Sequence, residues 1–330
     1  MTESFENPLY RAFGLLLARL ETLREHRMHR RGVRSYRVVV GLVLLYQILI
    51  TYGQRRMIYG PQGVYPYELF ESTFGQAHVS LLALTSSMTG FELVYHGCLI
   101  VIVLWTLGIR TSVTTPLTWL AVHTLHQRCY GLWDGGDNIT SLLLVYAVFM
   151  DLSPRRDDDE APHRWAPYRN VVHNFALFAC IAQVCLVYSV AGLAKIPGEY
   201  WQNGTAFYYV LNSAEFGMTE WAKVIWDYPL LLAVLTWSPV LLQLAFPWVY
   251  IFGGPLSRRV IVLVAMSFHV GIFALMGLES FAVLMIAAEL LLLSDADYRW
   301  FGAAGRELFG LVANITHRMR ARLVTRSNPS

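Results

Sequence analysis

RMHRRGVRSYRVVVGLVLLYQILI, residues 27–50, changes within a few positions from a basic segment to an apolar one. Six arginines lie between Arg24 and Arg37, and no charged side chain follows from Val38 to Ile50. A run of this length and polarity suits a helix crossing the hydrocarbon core of a bilayer. Lysine and arginine are retained on the cytoplasmic side of such spans. The stretch therefore predicts a membrane helix over 36–53 that leaves the cytoplasm.

The pattern repeats along the chain. Further spans are expected at 91–109, 117–133, 138–152, 170–191, 228–252, 260–277 and 280–293, giving about eight transmembrane helices. Pro239 and Pro247 are expected to kink or break the sixth. Over 330 residues, 55% are apolar and only 15% charged, against about 25% charged in ordinary soluble domains. A water-soluble core does not need this surplus, and its concentration in long runs indicates lipid contact. All but five of the 26 lysines and arginines fall on the side of the two termini, the exceptions being Arg55, Arg56, Arg128, Lys195 and Lys223. That sorting predicts cytoplasmic N and C termini and a multi-pass protein of the inner (plasma) membrane. Phe5, Leu9, Phe13, Leu16, Leu20 and Leu23 recur at helical spacing before the first span. Leu308, Leu311, Val312, Ile315, Met319 and Leu323 do so after the last. Both segments read as amphipathic helices lying at the interface. The division is a cytoplasmic amphipathic segment at 1–34, a transmembrane domain at 35–295 and a cytoplasmic amphipathic tail at 296–330. Residues 77–88 suggest a short surface helix, and 153–168, with the acidic run Asp157 to Glu160, an internal linker. No secretory signal peptide pattern is present at residue 1.

Only two lysines occur, Lys195 and Lys223, against 24 arginines. A desolvated lysine can lose its proton, whereas an arginine effectively cannot. Lys195 follows the apolar run Val187 to Ala194 and reads either as a base or nucleophile with a lowered pKa or as an ammonium snorkelling to the headgroups. Glu199, four residues on, pairs with it if the helix continues past Pro197-Gly198. Trp201, Tyr208 and Tyr209 suit an interfacial aromatic belt or a slot for a flat, partly polar ring. Asp134-Gly135-Gly136-Asp137-Asn138 is a compact acidic loop in which Asp137 or Asn138 caps the next span, or the loop walls a polar pocket near Lys195. Glu92, His96, His123, His126, His173, His269 and Glu289 lie inside predicted spans. A charge at the bilayer centre costs about 2.5–3.5 kcal/mol on insertion scales, so these side chains are expected to face the bundle interior. His269 and Glu289 on adjacent spans are candidates to meet there, or to move protons. His123 and His126 share a helix face without a third ligand, so no metal site is expected. Cys98, Cys129, Cys180 and Cys185 read as packing residues. No Gly-rich nucleotide loop is present, and nothing supports nucleic-acid binding.

The stretch Tyr188-Ser189-Val190-Ala191-Gly192-Leu193-Ala194-Lys195, followed by Tyr200-Trp201-Gln202-Asn203-Gly204-Thr205-Ala206, resembles the bacterial horizontally transferred transmembrane (HTTM) domain superfamily, in particular its sporulation-delaying-protein B type. RMIYGPQGVY at 56–65, GGDNITSL at 135–142 and HVGIFALMGLESFAVLMIAAEL at 269–290 fit in the same order. The superfamily also contains vitamin K-dependent gamma-glutamyl carboxylase. That resemblance implies a quinol-deprotonating lysine at Lys195, with Trp201 and Gly204 as flanking landmarks. The carboxylase's Asn-His pair is replaced here by Gly136-Asp137-Asn138, so the resemblance implies quinol handling without the histidine that assists glutamate carboxylation. The sporulation-delaying type works with a small partner protein to mature an exported peptide toxin.

Three readings follow. The first is a membrane enzyme acting at the extracytoplasmic face on reduced vitamin K or another membrane quinol, on an exported peptide, or on both. Lys195, Asp134 and Asp137 would be catalytic there, and Trp201, Tyr208, Tyr209, Asn138 and His269 would hold the cofactor. The second is a noncatalytic scaffold for peptide-toxin maturation or immunity. The third is a proton-coupled transporter using His269 and Glu289. The expected partners are the lipid bilayer, a small protein and an exported peptide.

Overall fold

The computed structural model describes residues 8–74, 80–154, 164–213 and 220–307, and every regular element among them is helical. In chain order these are α1 (Pro8–Glu25), α2 (Arg30–Ile50), α3 (Arg55–Tyr59), α4 (Tyr67–Phe74), α5 (Met88–Thr106), α6 (Thr111–Arg128) and α7 (Gly135–Ala147). They continue with α8 (Ala166–Leu193), α9 (Glu199–Gln202), α10 (Ala206–Leu211), α11 (Pro229–Phe252), α12 (Pro255–Met276) and α13 (Glu279–Leu290). A helical stretch also covers 295–307. Residues 155–163 of the predicted linker at 153–168 and most of the tail helix lie outside the described residues, as do 77–79 of the predicted surface helix, whose remainder holds a 3-10 turn at Leu81–Leu84.

Eight helices pack side by side in a closed ring. Its order is α2, α5, α6, α7, α8, α11, α12 and α13, and α13 returns to α2. A contact between α7 and α13 crosses the middle. Each helix is sorted by face. On α2, Val33, Tyr36, Val40, Val43, Leu44 and Ile48 point inward at helical spacing, while Leu42 and Leu49 are 57% and 62% exposed. Leu230, Trp248 and Phe252 of α11 are exposed in the same way. An exterior this apolar belongs in lipid, and the molecule is an all-α, multi-pass membrane bundle. Gly41 lets α2 approach α5 closely, since a Cβ there would sit 2.2 Å from Thr106 Oγ1.

Five of the eight, α2, α5, α8, α11 and α12, are long and apolar enough to cross a membrane by themselves. Of the others, α7 has 13 residues and α13 has 12. At 1.5 Å per residue, both fall short of a hydrocarbon core about 30 Å thick. They are shielded instead: Ala282, Leu284, Met285, Ala287, Ala288 and Glu289 of α13 are all buried. The expected break in the sixth span is not found. Helix α11 runs through both Pro239 and Pro247, each of which removes one helical N–H donor.

The end of the ring where α2 begins is tied by side chains that bond backbone. Buried Asn174 of α8 donates to Leu23 O (3.0 Å) and His26 O (2.8 Å), and accepts from Met28 N (2.8 Å). Asn170 donates to Arg24 O and Glu25 O. The C-terminal carbonyls of α1, which lack intrahelical donors, are thus met by the neighbouring helix. His173 accepts from Asp151 N and bonds Met28 O (both 3.0 Å), and Arg27 pairs with Asp151. Asp295 accepts from Arg30 N (3.2 Å) and Arg31 N (2.7 Å), capping α2 from across the chain.

Candidate functional site

The opposite end of the ring is open. The C-terminal turns of α2 and α6 and the N-terminal turns of α7 and α13 surround a cavity of about 280 Å³. Its polar lining includes Gln47, Thr51, His126, Asp134, Asp137 and Ser280. The floor is the start of α7. Asp134 caps that helix by accepting from Asp137 N (2.9 Å), and Asp137 reaches back to Asp134 N (3.3 Å), a reciprocal capping box. The cap is thus Asp134, where the sequence pointed to Asp137 or Asn138. Asn138 is exposed. Gln47 spans the cavity, donating to Asp137 Oδ1 (3.0 Å) and Ser280 Oγ (2.8 Å). His126 lies against the Trp133 ring, with Nε2 3.7 Å from Asp137 Oδ1. That spacing is too long for a direct hydrogen bond; Nδ1 stands 3.4 Å from Ser141 Oγ, so Nε2 is the ring atom that faces an occupant. Burial pushes the Asp134 carboxyl above its ordinary range, partly countered by the Asp137 and Gly136 N–H groups. Half-buried Cys129 also lines the space, and all four cysteines are free thiols.

The wall beside α6 depends on a residue the sequence reading treated only as a charge. Arg128 is fully buried and donates to Tyr59 O (3.1 Å) and Gly60 O (2.8 Å), with its guanidinium over the Phe70 ring. It pins the connection after α3 beside the cavity. Its place directly before the turn Cys129 to Trp133 was the available signal.

Lys195 belongs to a separate group and does not line this cavity. Helix α8 ends at Leu193, and Lys195 Nζ donates back to Ala191 O (3.0 Å) while lying 5.2 Å from the Trp201 ring centre. The expected pairing with Glu199 is replaced by these contacts, because Pro197 and Gly198 end the helical register. Burial lowers the amine's pKa. Trp201 is held by its carbonyl, which accepts from Trp237 Nε1 (2.8 Å). Tyr208 and Tyr209 form an aromatic cluster with Tyr200 and Trp226. Among the expected cofactor residues, only Trp201 touches Lys195.

His269 lies in a third place, inside the ring. His269 and Glu289 meet as the sequence suggested, with Nε2 3.2 Å from Oε1. Tyr188 of α8 joins them, donating to Glu289 and standing 3.0 Å from His269 Nε2. Phe246 of α11 stacks on Tyr188 at 4.1 Å. Tyr188, Glu289 and His269 are all buried. Among the described residues, no three His, Cys, Asp or Glu side chains are grouped to hold a metal ion.

Two curated proteins of Bacillus subtilis (strain 168) are similar to the chain. "Sporulation-delaying protein SdpB" is 25% identical over 215 residues, covering 62% of this chain and 64% of the relative. "Uncharacterized protein YitO" is 22% identical over 214 residues, covering 61% and 66%. The match therefore spans just under two thirds of the length of either relative. No family model matches the chain, and no solved structure matches it.

Proposed function

We propose that this protein holds an exported peptide in the polar cavity while that peptide is matured, and that it supplies no covalent chemistry of its own. The chain crosses the plasma membrane eight times with both termini in the cytoplasm, which puts the cavity on the outer side. The resemblance of residues 188–206 to the sporulation-delaying-protein B type, which matures an exported peptide toxin, supports the peptide as occupant. The carrying observation is the cavity itself, open at the end of the ring away from the arginine-rich segments, with Gln47, Asp134, Asp137, His126 and Ser280 converging on it. Amide, carboxyl and imidazole groups at these spacings match the donors and acceptors of a peptide backbone or a basic side chain. The side chains are already committed to structure: both aspartates to a helix cap, and Gln47 to bridging α7 and α13. Lys195, the strongest candidate base, is spent on Ala191 O and Trp201 in another group.

The test is mature peptide in the medium of the native host, measured by mass spectrometry, with each variant's membrane level checked. Gln47→Leu and Asp137→Asn should abolish it, and Lys195→Ala should leave it unchanged. Loss of peptide with both Lys195→Ala and Lys195→Arg, at normal membrane levels, would instead favour the enzyme reading with Lys195 as base.

A further inference from the structure

Tyr188, Glu289 and His269 are not used by a peptide held at the outer cavity, yet their arrangement is specific. Tyr188 gives its one hydroxyl proton to Glu289 Oε1. Its oxygen must then accept from His269, which fixes the imidazole proton on Nε2. Two atoms remain without any hydrogen-bond partner, Glu289 Oε2 and His269 Nδ1, and both are buried. With Glu289 ionised and His269 neutral, the group would carry a net negative charge in the middle of a membrane bundle, a costly state. One added proton removes that charge, and His269 Nδ1 is the open atom at which it can enter.

Among the described residues, no lysine or arginine forms an ion pair with Glu289. Helix α11 contributes Phe246, and Tyr250, whose hydroxyl is donated to Leu292 O (2.9 Å). Helix α8 adds the thiol of Cys185, one turn before Tyr188. The other buried titratable groups on the helices packed against α13 are Tyr36 and Arg37 of α2, His173 and Cys180 of α8, and Asp137 of α7; Arg37 donates to Trp105 O and Thr106 O, and Asp137 is bonded to Gln47.

A path connects the group to the cavity. Glu279 and Ser280, which line the cavity, are followed directly by Phe281. The Phe281 ring packs edge-on to His269 with centres 5.7 Å apart. Its other neighbours are Gly135 and Gly136 at the start of α7. A Cβ on Gly136 would stand 3.0 Å from Phe281 Cα, so the glycine is what lets α13 and Phe281 settle there. One aromatic ring therefore lies between cavity-lining Ser280 and the His269 imidazole.

We propose that Tyr188, Glu289 and His269 form an internal proton-binding site that exchanges its proton with the polar cavity past Phe281. An incoming proton is taken at His269 Nδ1 as the Nε2 proton passes to the Tyr188 oxygen and the Tyr188 hydroxyl proton passes to Glu289 Oε1, which leaves a neutral carboxyl and a proton on Nδ1. Release runs the same steps backwards and returns the ionised carboxylate with Tyr188 donating to it. The site goes beyond the peptide-holding reading and does not rest on it.

The test is infrared spectroscopy of the full chain in lipid nanodiscs at neutral pH, in normal and heavy water. A protonated-carboxyl band should be present, should shift when the protein is grown with carbon-13 glutamate, and should be lost in Glu289→Gln. Tyr188→Phe should move the band, because the donated hydrogen bond is gone. Phe281→Ala should make its deuterium exchange several-fold faster. Absence of any glutamate-labelled carboxyl band in the parent overturns the site, and this reading needs no variant to fold. A band whose exchange rate is the same with Phe281→Ala overturns the route.

Discussion

The two ends of the ring are built from the same helices and differ in what their polar groups do. At the end where α2 starts, Asn170, His173, Asn174, Asp151 and Asp295 are consumed by backbone and arginine partners and leave the entry to α2 tightly laced. At the end where α2 stops, Gln47, Asp134, Asp137 and His126 also make bonds, but around a cavity. Burial alone does not separate the two: Asp137 and Asn174 are both buried. What separates them is whether the bonds fill the space or frame it. Polar residues in a membrane bundle thus divide into fasteners and linings, and only the linings are available to a partner.

Substitution should break the two ends in different currencies. The largest effect is expected for Asp151→Leu, which removes the carboxylate paired with buried Arg27. Breaking such a pair costs about 3–5 kcal/mol, read as a large fall in thermal unfolding temperature of the purified protein. Asn174→Leu should follow at about 2–3 kcal/mol, since it strands the Leu23 and His26 carbonyls and the Met28 amide. Asp137→Asn, at the open end, should cost only about 1 kcal/mol of stability while removing peptide maturation, because asparagine keeps the acceptor facing Gln47 and loses the one facing Asp134 N. Equal loss of stability from Asp137→Asn and Asn174→Leu would erase the distinction.

Acidity sharpens the comparison further. Burial opposes ionisation of Asp297, but hydrogen bonds from Ser294 and Arg259 outweigh it and hold the carboxyl below its usual range. Its stabilisation is present above the unfolded value and is lost as pH falls through the lowered one. The Asp134 carboxyl is shifted upward, so its contribution is present below the unfolded value and is lost as pH rises through the raised one. Raising the pH across the carboxylate range should therefore favour the parent over Asp297→Asn and favour Asp134→Asn over the parent in thermal unfolding. The smallest effect concerns Lys195. Its lowered pKa should let an amine-acylating reagent modify it at a lower pH than a free lysine, as read by peptide mass spectrometry.

The multi-pass helical architecture was legible in the sequence because hydrophobic runs are local signals. Helix positions followed within a few residues: the run predicted at 36–53 forms α2 at Arg30–Ile50. The meeting of His269 and Glu289 was legible too, since costly residues on adjacent helices have few other places to go. Other features depend on pairings across the chain. Nothing near Arg24 announces that Asn170 will cap its carbonyl, 146 residues later. Tyr188 looked like one aromatic among many until α8 was set against α12 and α13. The loop at Asp134 was noticed, but its pocket was expected beside Lys195 because both were assigned to the same face. Sharing a face gives no lateral position, and Lys195 lies beside Trp201 while Asp134 lies beside His126 and Gln47.

The cap on α2 carries a consequence for synthesis. Arg30 N is bonded by Asp295, 265 positions further along, and the inner wall of α2 is completed by α13. Helix α2 therefore enters the bilayer with its leading amides bare and one flank unmatched. It must wait for a further 265 residues before it can lock. During that interval the nascent protein should lean on an insertase or lipid headgroups, and a premature stop before Asp295 should yield a product that quality-control proteases recognise.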